Sequence, residues 1–433
     1  MILFEKIKYK IKDVSVRFLI KISLFLNWPY LTAMALWLAS SRINSKCGSN
    51  YTVLCMGRSI FVDDVNAMAA YSGRIKYVVI WRTYFQIIMR HFIKDRGENK
   101  LTENNYHSNN YFYEGKEKYY SYLKKVFPIL RKFLGFDAAL SGNFTYLEQQ
   151  EFVRICEENK VPFAILHKEG MGAYGDYVDV RGYHGCQLNG HKILFYNEAI
   201  AKAIVELNLP GLTGEKIAIV GIPRFDLYFG KKNKTEEKQM VLFSFSPMDR
   251  FFLLIEEKQK IESAKRRGEL FHKLVMEYAL ANPDVKVIIK TKFAKHYLNY
   301  VKDIFNKYFT KEIFNLIITN EGEPFKLIRD SFAVFGFNST ALIEAVVADK
   351  IIISPKMKDL AVDQSWDFFK DYPSIINYAE SIDDIGKAIK NSNNGNIGDE
   401  IKNKFLERLV YKPDGKSGAR VETEIIKLIE NYE

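Results

Sequence analysis

Residues 335–355 (FGFNSTALIEAVVADKIIISP) hold the groups best suited to a charged ligand. An apolar strand predicted over 331–337 runs into a polar turn, a short helix and a second strand from Ile351. Asn338, Ser339 and Thr340 fall where that helix begins, so their side chains and the free backbone N–H groups point at one spot. Unpaired N–H donors at the positive end of a helix dipole make an anion site, and phosphate is the usual guest. Glu344, one turn on, can face the same spot and accept hydrogen bonds from ligand hydroxyls. The same turn chemistry equally satisfies an ordinary N-cap. In residues 221–227 (GIPRFDL), the planar fork of Arg224 can reach a phosphate or carboxylate. Bracing of a hinge through an ion pair with Asp226 is the reading preferred here.

These residues sit in a chain of 433 residues with 48% hydrophobic content, enough for two packed domains and too much for a disordered protein. The formal charge of +11 suits an anionic partner without choosing among nucleotide, nucleic acid and membrane surface. Cys47, Cys55, Cys156 and Cys186 form no CxxC pair or disulfide framework, which assigns the chain to a reducing cytosol. The spacing of His184, Cys186 and His191 matches no standard metal site. Gly170, Gly172 and Gly175 lack the dinucleotide fingerprint, so NAD is not expected.

The first 21 residues carry Lys6, Lys8, Lys10, Lys12, Arg17 and Lys21 against Glu5 and Asp13, interleaved with apolar residues. Residues 22–41 then hold no charge, and Asn27 and Pro29 interrupt them. A basic amphipathic helix on an anionic membrane surface is preferred over core packing, a true span or a signal peptide. The expected location is the inner face of the cytoplasmic membrane.

Strands at 51–56, 76–81, 162–167 and 216–220 alternate with helical patterns at 63–71, 118–133 and 145–159. The polar stretch 94–117 reads as a long loop or lid. After a charged linker at 231–239 the pattern restarts, with strands at 240–245, 285–290, 316–319, 333–337 and 351–354. Strand–helix alternation implies parallel sheets covered on both faces. The expected organisation is a membrane-associating segment (1–46), a Rossmann-like lobe (47–230), a linker (231–239), a second Rossmann-like lobe (240–400) and a helical tail (401–433). The fold class is α/β, two lobes facing across a cleft.

Three stretches carry a family resemblance: residues 337–345 (FNSTALIEA), residues 221–227 (GIPRFDL) and residues 167–171 (HKEGM). The chain resembles GT-B glycosyltransferases, in particular bacterial surface-polysaccharide enzymes of the capsule-synthesis, Kdo-transferase and CDP-glycerol glycerophosphotransferase type. Many such enzymes have a His-Pro pair where this chain has Lys290 and Lys292. The resemblance implies a metal-independent transferase with no tightly bound cofactor. Lys290, Lys292, Asn338, Ser339 and Thr340 would offset the charge of a leaving nucleotide phosphate; the lysines also read as solvated charges at a strand end.

Transfer needs a carboxylate near the reacting atom, as base or nucleophile. Glu169 is the first candidate, because it follows a buried strand and ligands of open α/β sheets bind at the carboxyl ends of strands. The alternative for Glu169 is an ion pair with Lys168. Asp249 is the second candidate; Asp63 and Asp64 come after it, since Asp there also caps the following helix.

The leading expectation is transfer of a sugar, with a CMP-activated ulosonic acid such as Kdo favoured, from a sugar nucleotide to a lipid-linked or surface glycan. A CDP-glycerol or CDP-ribitol phosphotransferase is the nearest rival. A non-catalytic basic module binding lipid or nucleic acid is the rival of another class, although no nucleic-acid motif is present. A nucleotide-sugar epimerase of the same fold is a further alternative.

Overall fold

The computed structural model describes residues 2–43, 48–71, 73–94, 100–169, 173–174, 177–229, 238–246, 258–357, 368–392 and 399–432. Asp249, Cys47, the glycines at 170, 172 and 175, and most of the predicted linker lie outside the described residues. The chain forms two compact units. The first holds residues 1–172, 179–226 and 410–433; the second holds 173–178 and 227–409. The predicted tail is thus divided between them.

The first unit opens with two helices, α1 (Ile2–Phe25) and α2 (Pro29–Ala39). Its strands are β1 (Ser41–Ile43), β2 (Tyr51–Gly57), β3 (Ile75–Trp81), β4 (Ala138–Ser141) and β5 (Phe163–His167). After the short pair β6 (Ala173–Tyr174) and β7 (Tyr177–Val178), which belongs to the second unit, come β8 (Lys192–Phe195) and β9 (Ile217–Ile219). The intervening helices are α3 (Ser59–Tyr71), α4 (Arg82–Phe92), α5 (Tyr113–Leu134), α6 (Gln150–Glu158) and α7 (Glu198–Glu206). The sheet order is β1-β3-β2-β4-β5-β8-β9, parallel except for β1. Val53, Leu54, Cys55 and Met56 of β2 are all buried, as befits a central parallel strand covered on both faces. The strand order reverses between β2 and β4, and there the carboxyl ends open a crevice.

The second unit contains β10 (Gln239–Phe243), β11 (Lys286–Lys290), β12 (Leu316–Thr319), β13 (Ala333–Phe335), β14 (Ile351–Ser354) and β15 (Asn377–Tyr378). Its helices are α8 (Lys258–Ala281), α9 (Lys295–Tyr308), α10 (Pro324–Asp330), α11 (Thr340–Val347), α12 (Ile382–Ser392) and α13 (Asp399–Val410). All six strands are parallel, in the order β12-β11-β10-β13-β14-β15. Counted within the unit this is the doubly wound order of dinucleotide-binding domains, with its reversal between β10 and β13. The last helix, α14 (Ser417–Glu430), returns to the first unit and packs on α3.

Several expectations change. The uncharged run 22–41 comprises the end of α1, a turn and α2, and one side of it packs into the first unit: Ser23 bonds Thr32 at 2.6 Å, and Thr32 bonds Tyr122 of α5 at 2.6 Å. Among the described residues no helix is long and apolar enough to cross a membrane. Within the predicted lid, α5 already begins at Tyr113, and Leu101, Tyr106 and Phe112 are buried. Apolar side chains hidden among the polar ones hold that segment down. α3 begins at Ser59, so Asp63 and Asp64 lie in its second turn and cannot cap it.

Candidate functional site

The crevice of the first unit gathers charge from four strand ends. Arg58 follows β2, Arg82 follows β3, Asn143 to Glu148 follow β4, and Lys168 and Glu169 follow β5. Gly142 makes the gathering possible. A Cβ there would lie 3.0 Å from Phe61 Cβ and 3.2 Å from Lys168 Cδ, so a side chain would displace the Lys168 stem. The Lys168 amide donates to the Gly142 carbonyl at 3.0 Å and registers the two loops.

Arg82 donates through Nε and Nη2 to both oxygens of the buried Glu148, and its guanidinium lies 3.6 Å from the Tyr146 ring centroid. Such a two-pronged pair on an aromatic face fixes the guanidinium plane. Arg58 Nη1 donates to Tyr146 Oη at 3.2 Å and lies 3.9 Å from Glu169 Oε1. Lys168, whose side chain is only 3% exposed, donates Nζ to Glu169, whose side chain is 40% exposed. The exposed carboxylate therefore rests on a buried counter-charge. Burial pushes the Glu169 carboxyl up, but Lys168, His167 and Arg58 outweigh it and hold it below the usual glutamate value. Burial also lowers Lys168, against the pull of Glu169.

Glu103 behaves oppositely. Burial raises its carboxyl despite a 2.8 Å hydrogen bond from Thr145 Oγ1 and the nearby Arg82 and Arg58. Two carboxyls with opposite shifts and two arginines can hold an anionic group and handle a proton. Beneath them, His167 is fully buried against the rings of Phe144, Tyr183 and Phe195, and among the described residues neither ring nitrogen has a hydrogen-bond partner.

In the second unit, the Asn338 to Thr340 turn follows β13, beside the end of β10. A Cβ on Gly336 would lie 3.2 Å from Leu342 Cδ2 of α11, so the absent side chain leaves room for that leucine. Asn338 takes the left-handed conformation (φ 41°) and accepts from the Phe368 amide at 3.3 Å. Ser339 caps α11, its Oγ accepting from the Ala341 amide at 3.3 Å. Glu344 accepts from Tyr228 Oη at 2.8 Å. Lys290 sends its ammonium to the carbonyls of Thr291 and Asn320, at 2.8 and 3.0 Å, and burial lowers its pKa. Lys292 is exposed, its Nζ 5.1 Å from the Tyr297 ring centroid. At the end of β10, His272 Nδ1 donates to the Gly268 carbonyl, which leaves Nε2 to accept from Ser244 Oγ at 2.9 Å.

No family model matches the sequence, and no curated protein matches it. Solved structures do match. A Listeria monocytogenes protein described as a UDP-N-acetylglucosamine 2-epimerase superposes with TM-score 0.51 at 11% identity, over 89% of this chain and 98% of that one. A second UDP-N-acetylglucosamine 2-epimerase gives 0.50 at 12%, over 89% and 97%. The wall teichoic acid polymerase TagF gives 0.50 at 12% identity, over 98% of both chains. The fold is of the GT-B type.

In this GT-B chain the predicted junction pair is rearranged. Arg224 does not pair with Asp226; Nη1 meets Asp64 Oδ1 at 3.2 Å, and its backbone amide donates to the same carboxylate at 3.1 Å. Tyr196 Oη also donates to Asp64. Asp226 instead accepts from the amides of Ser417 and Gly418, at 3.0 and 2.7 Å, at the start of α14. Among the predicted site residues, Lys290, Lys292, Asn338, Ser339 and Thr340 lie at or just after the carboxyl ends of β11 and β13, the two strands that flank β10 in the second unit, with Glu344 on α11. Glu169 belongs to the first unit. Sequence reading missed Arg58, Arg82, Glu103, Tyr146, Glu148 and Ser244; the signal for Arg58, Arg82, Tyr146, Glu148 and Ser244 is a position soon after a strand, and Glu103, in the segment after α4, has no such signal.

Proposed function

We propose that the chain is a group transferase that moves a glycosyl or alditol-phosphate group from a nucleotide-activated donor to an acceptor hydroxyl. The observation that carries this reading is the reversal of strand order between β10 and β13, where the turn Asn338 to Thr340 opens α11. A nucleotide diphosphate placed there meets the backbone N–H groups of α11 and the helix dipole, and the negative charge left on the departing nucleotide is offset. Transfer joins the acceptor oxygen to the moved group as the bond to the leaving phosphate breaks, and Glu169 is our candidate for the base that takes the hydroxyl proton. Arg58 and Arg82 hold the acceptor's anionic portion.

Two donor classes fit this scheme. The match to the wall teichoic acid polymerase extends over 98% of this chain, against 89% for the epimerases, and this favours a CDP-alditol donor. A sugar-nucleotide donor, CMP-Kdo among them, is the alternative, acting on a lipid-linked or surface glycan. The test is a turnover panel of CDP-glycerol, CDP-ribitol, CMP-Kdo and UDP-N-acetylglucosamine, after ligand-observed NMR with CMP, CDP and UDP. CMP release with a new phosphodiester supports the alditol reading. CMP release from CMP-Kdo supports the ulosonic reading. Epimerised sugar without acceptor, or no nucleotide binding, ends the transferase proposal.

A further inference from the structure

Helix α1 has two apolar faces. Val16, Ile20 and Leu24 recur at every fourth residue and are buried, together with Ser23, where α1 packs against α2 and α4. Ile11, Val14, Phe18 and Phe25 recur at spacings of three, four and seven, which places them on one side of a helix. They are 62%, 60%, 63% and 86% exposed. Phe18 and Ile20 are separated by about 200° of helix rotation, so this second stripe faces away from the first. Leu26 and Trp28, in the turn that follows, continue the exposed apolar surface. Single exposed apolar residues are ordinary; a helical stripe of this kind running into an exposed Trp turn marks a contact surface.

We propose that this outward face of α1, with the turn after it, docks on an anionic lipid bilayer, lying in the headgroup region with its axis along the surface. The charge pattern selects that occupant. Lys10 and Lys21 are exposed beside the stripe, and Lys12, also exposed, with Lys6 and Lys8 of the sequence adds to the positive charge of the same helix. Asp13, the only acidic residue between positions 10 and 28, is engaged by Arg17 Nε and Tyr84 Oη, both at 2.8 Å. A second copy of the chain would bring these lysines against their own images, since a two-fold interface pairs a surface with itself. An anionic lipid surface pairs them, takes the aliphatic and aromatic stripe among its acyl chains, and seats Trp28 at headgroup depth.

The inference stands apart from the transferase reading, because its test uses neither donor nor acceptor. Full-length protein is sedimented with phosphatidylglycerol vesicles and with phosphatidylcholine vesicles, and tryptophan quenching by brominated acyl chains is recorded. Binding to the anionic vesicles, weakened by salt and accompanied by quenching, is the expected result. Phe18→Glu with Phe25→Glu lowers partitioning by at least about tenfold, with the melting temperature held, since both side chains already stand in water. Equal binding of the double variant, or of neutral vesicles, overturns the proposal. Concentration-dependent self-association that the double variant abolishes, without vesicle binding by the parent, assigns the face to a second copy and overturns it too.

Discussion

Asp64 and Arg224, 160 residues apart, form a buried ion pair at 3.2 Å in which one carboxylate oxygen also takes the Arg224 backbone amide. Asp64 is fully buried and Tyr196 Oη donates to its other oxygen, so the carboxylate has a donor at each oxygen. This cluster ties α3 to the segment that leaves β9. Removing one partner strands a charge in the interior. Asp64→Ala is expected to cost about 3–5 kcal/mol in urea unfolding. Replacing both, Asp64→Leu with Arg224→Met, costs less than the single change; a larger loss would show that the pair is not the stabilising element.

Glu169→Gln keeps the shape of the side chain and removes its proton-accepting oxygen. Turnover is expected to fall by roughly 10²–10⁴-fold with nucleotide affinity held; the buried Lys168 loses its counter-charge in the same variant, so the melting temperature falls as well. Unchanged turnover would reassign the proton to another group, Glu103 first.

Ser339 caps α11, so its replacement acts on stability as well as binding. Ser339→Ala is expected to cost about 1 kcal/mol, and Ser339→Gly a few tenths. If the backbone N–H groups of α11 bind the nucleotide phosphate, Ser339→Gly retains most affinity in isothermal titration. A collapse of affinity in the glycine variant would put the contact on the hydroxyl itself.

His167 is held neutral. Burial, with a smaller push from Lys168 and against the pull of Glu169, lowers its pKa from 6.5 to about 4. A depressed value means that the unfolded chain binds the proton first. The associated stability is therefore present in full above pH 6.5 and is lost as pH falls toward 4, by on the order of 3 kcal/mol. His167→Phe, placed among three aromatic rings, should flatten the dependence of unfolding free energy between pH 6.5 and 4.5. Parallel curves for parent and variant would show that other groups govern it.

Much of the second sheet is legible in the sequence because its strands are short apolar runs bounded by Gly, Pro or charge, as in residues 285–290 and 351–354. β4 and β8 escape notice. The first is four residues with two alanines, and the second opens on a lysine whose stem packs while its head reaches the Glu215 carbonyl. Glu169 is legible because it ends an apolar strand. The cluster around it is not, since Arg82 and Glu148 are 66 residues apart and meet only when β3 and β4 take their places in one sheet. Arg224 and Asp226 show the same limit: adjacency invites pairing, yet each finds a partner far along the chain.

The return of α14 to the first unit orders events on the ribosome. Residues 227–409 can close around their own sheet as soon as they emerge, whereas the first unit waits for its final helix. The Asp226 carboxylate waits to accept two backbone amides of a segment synthesised nearly two hundred residues later. A premature stop near residue 410 would therefore damage the part of the protein that was made first and spare the part made last.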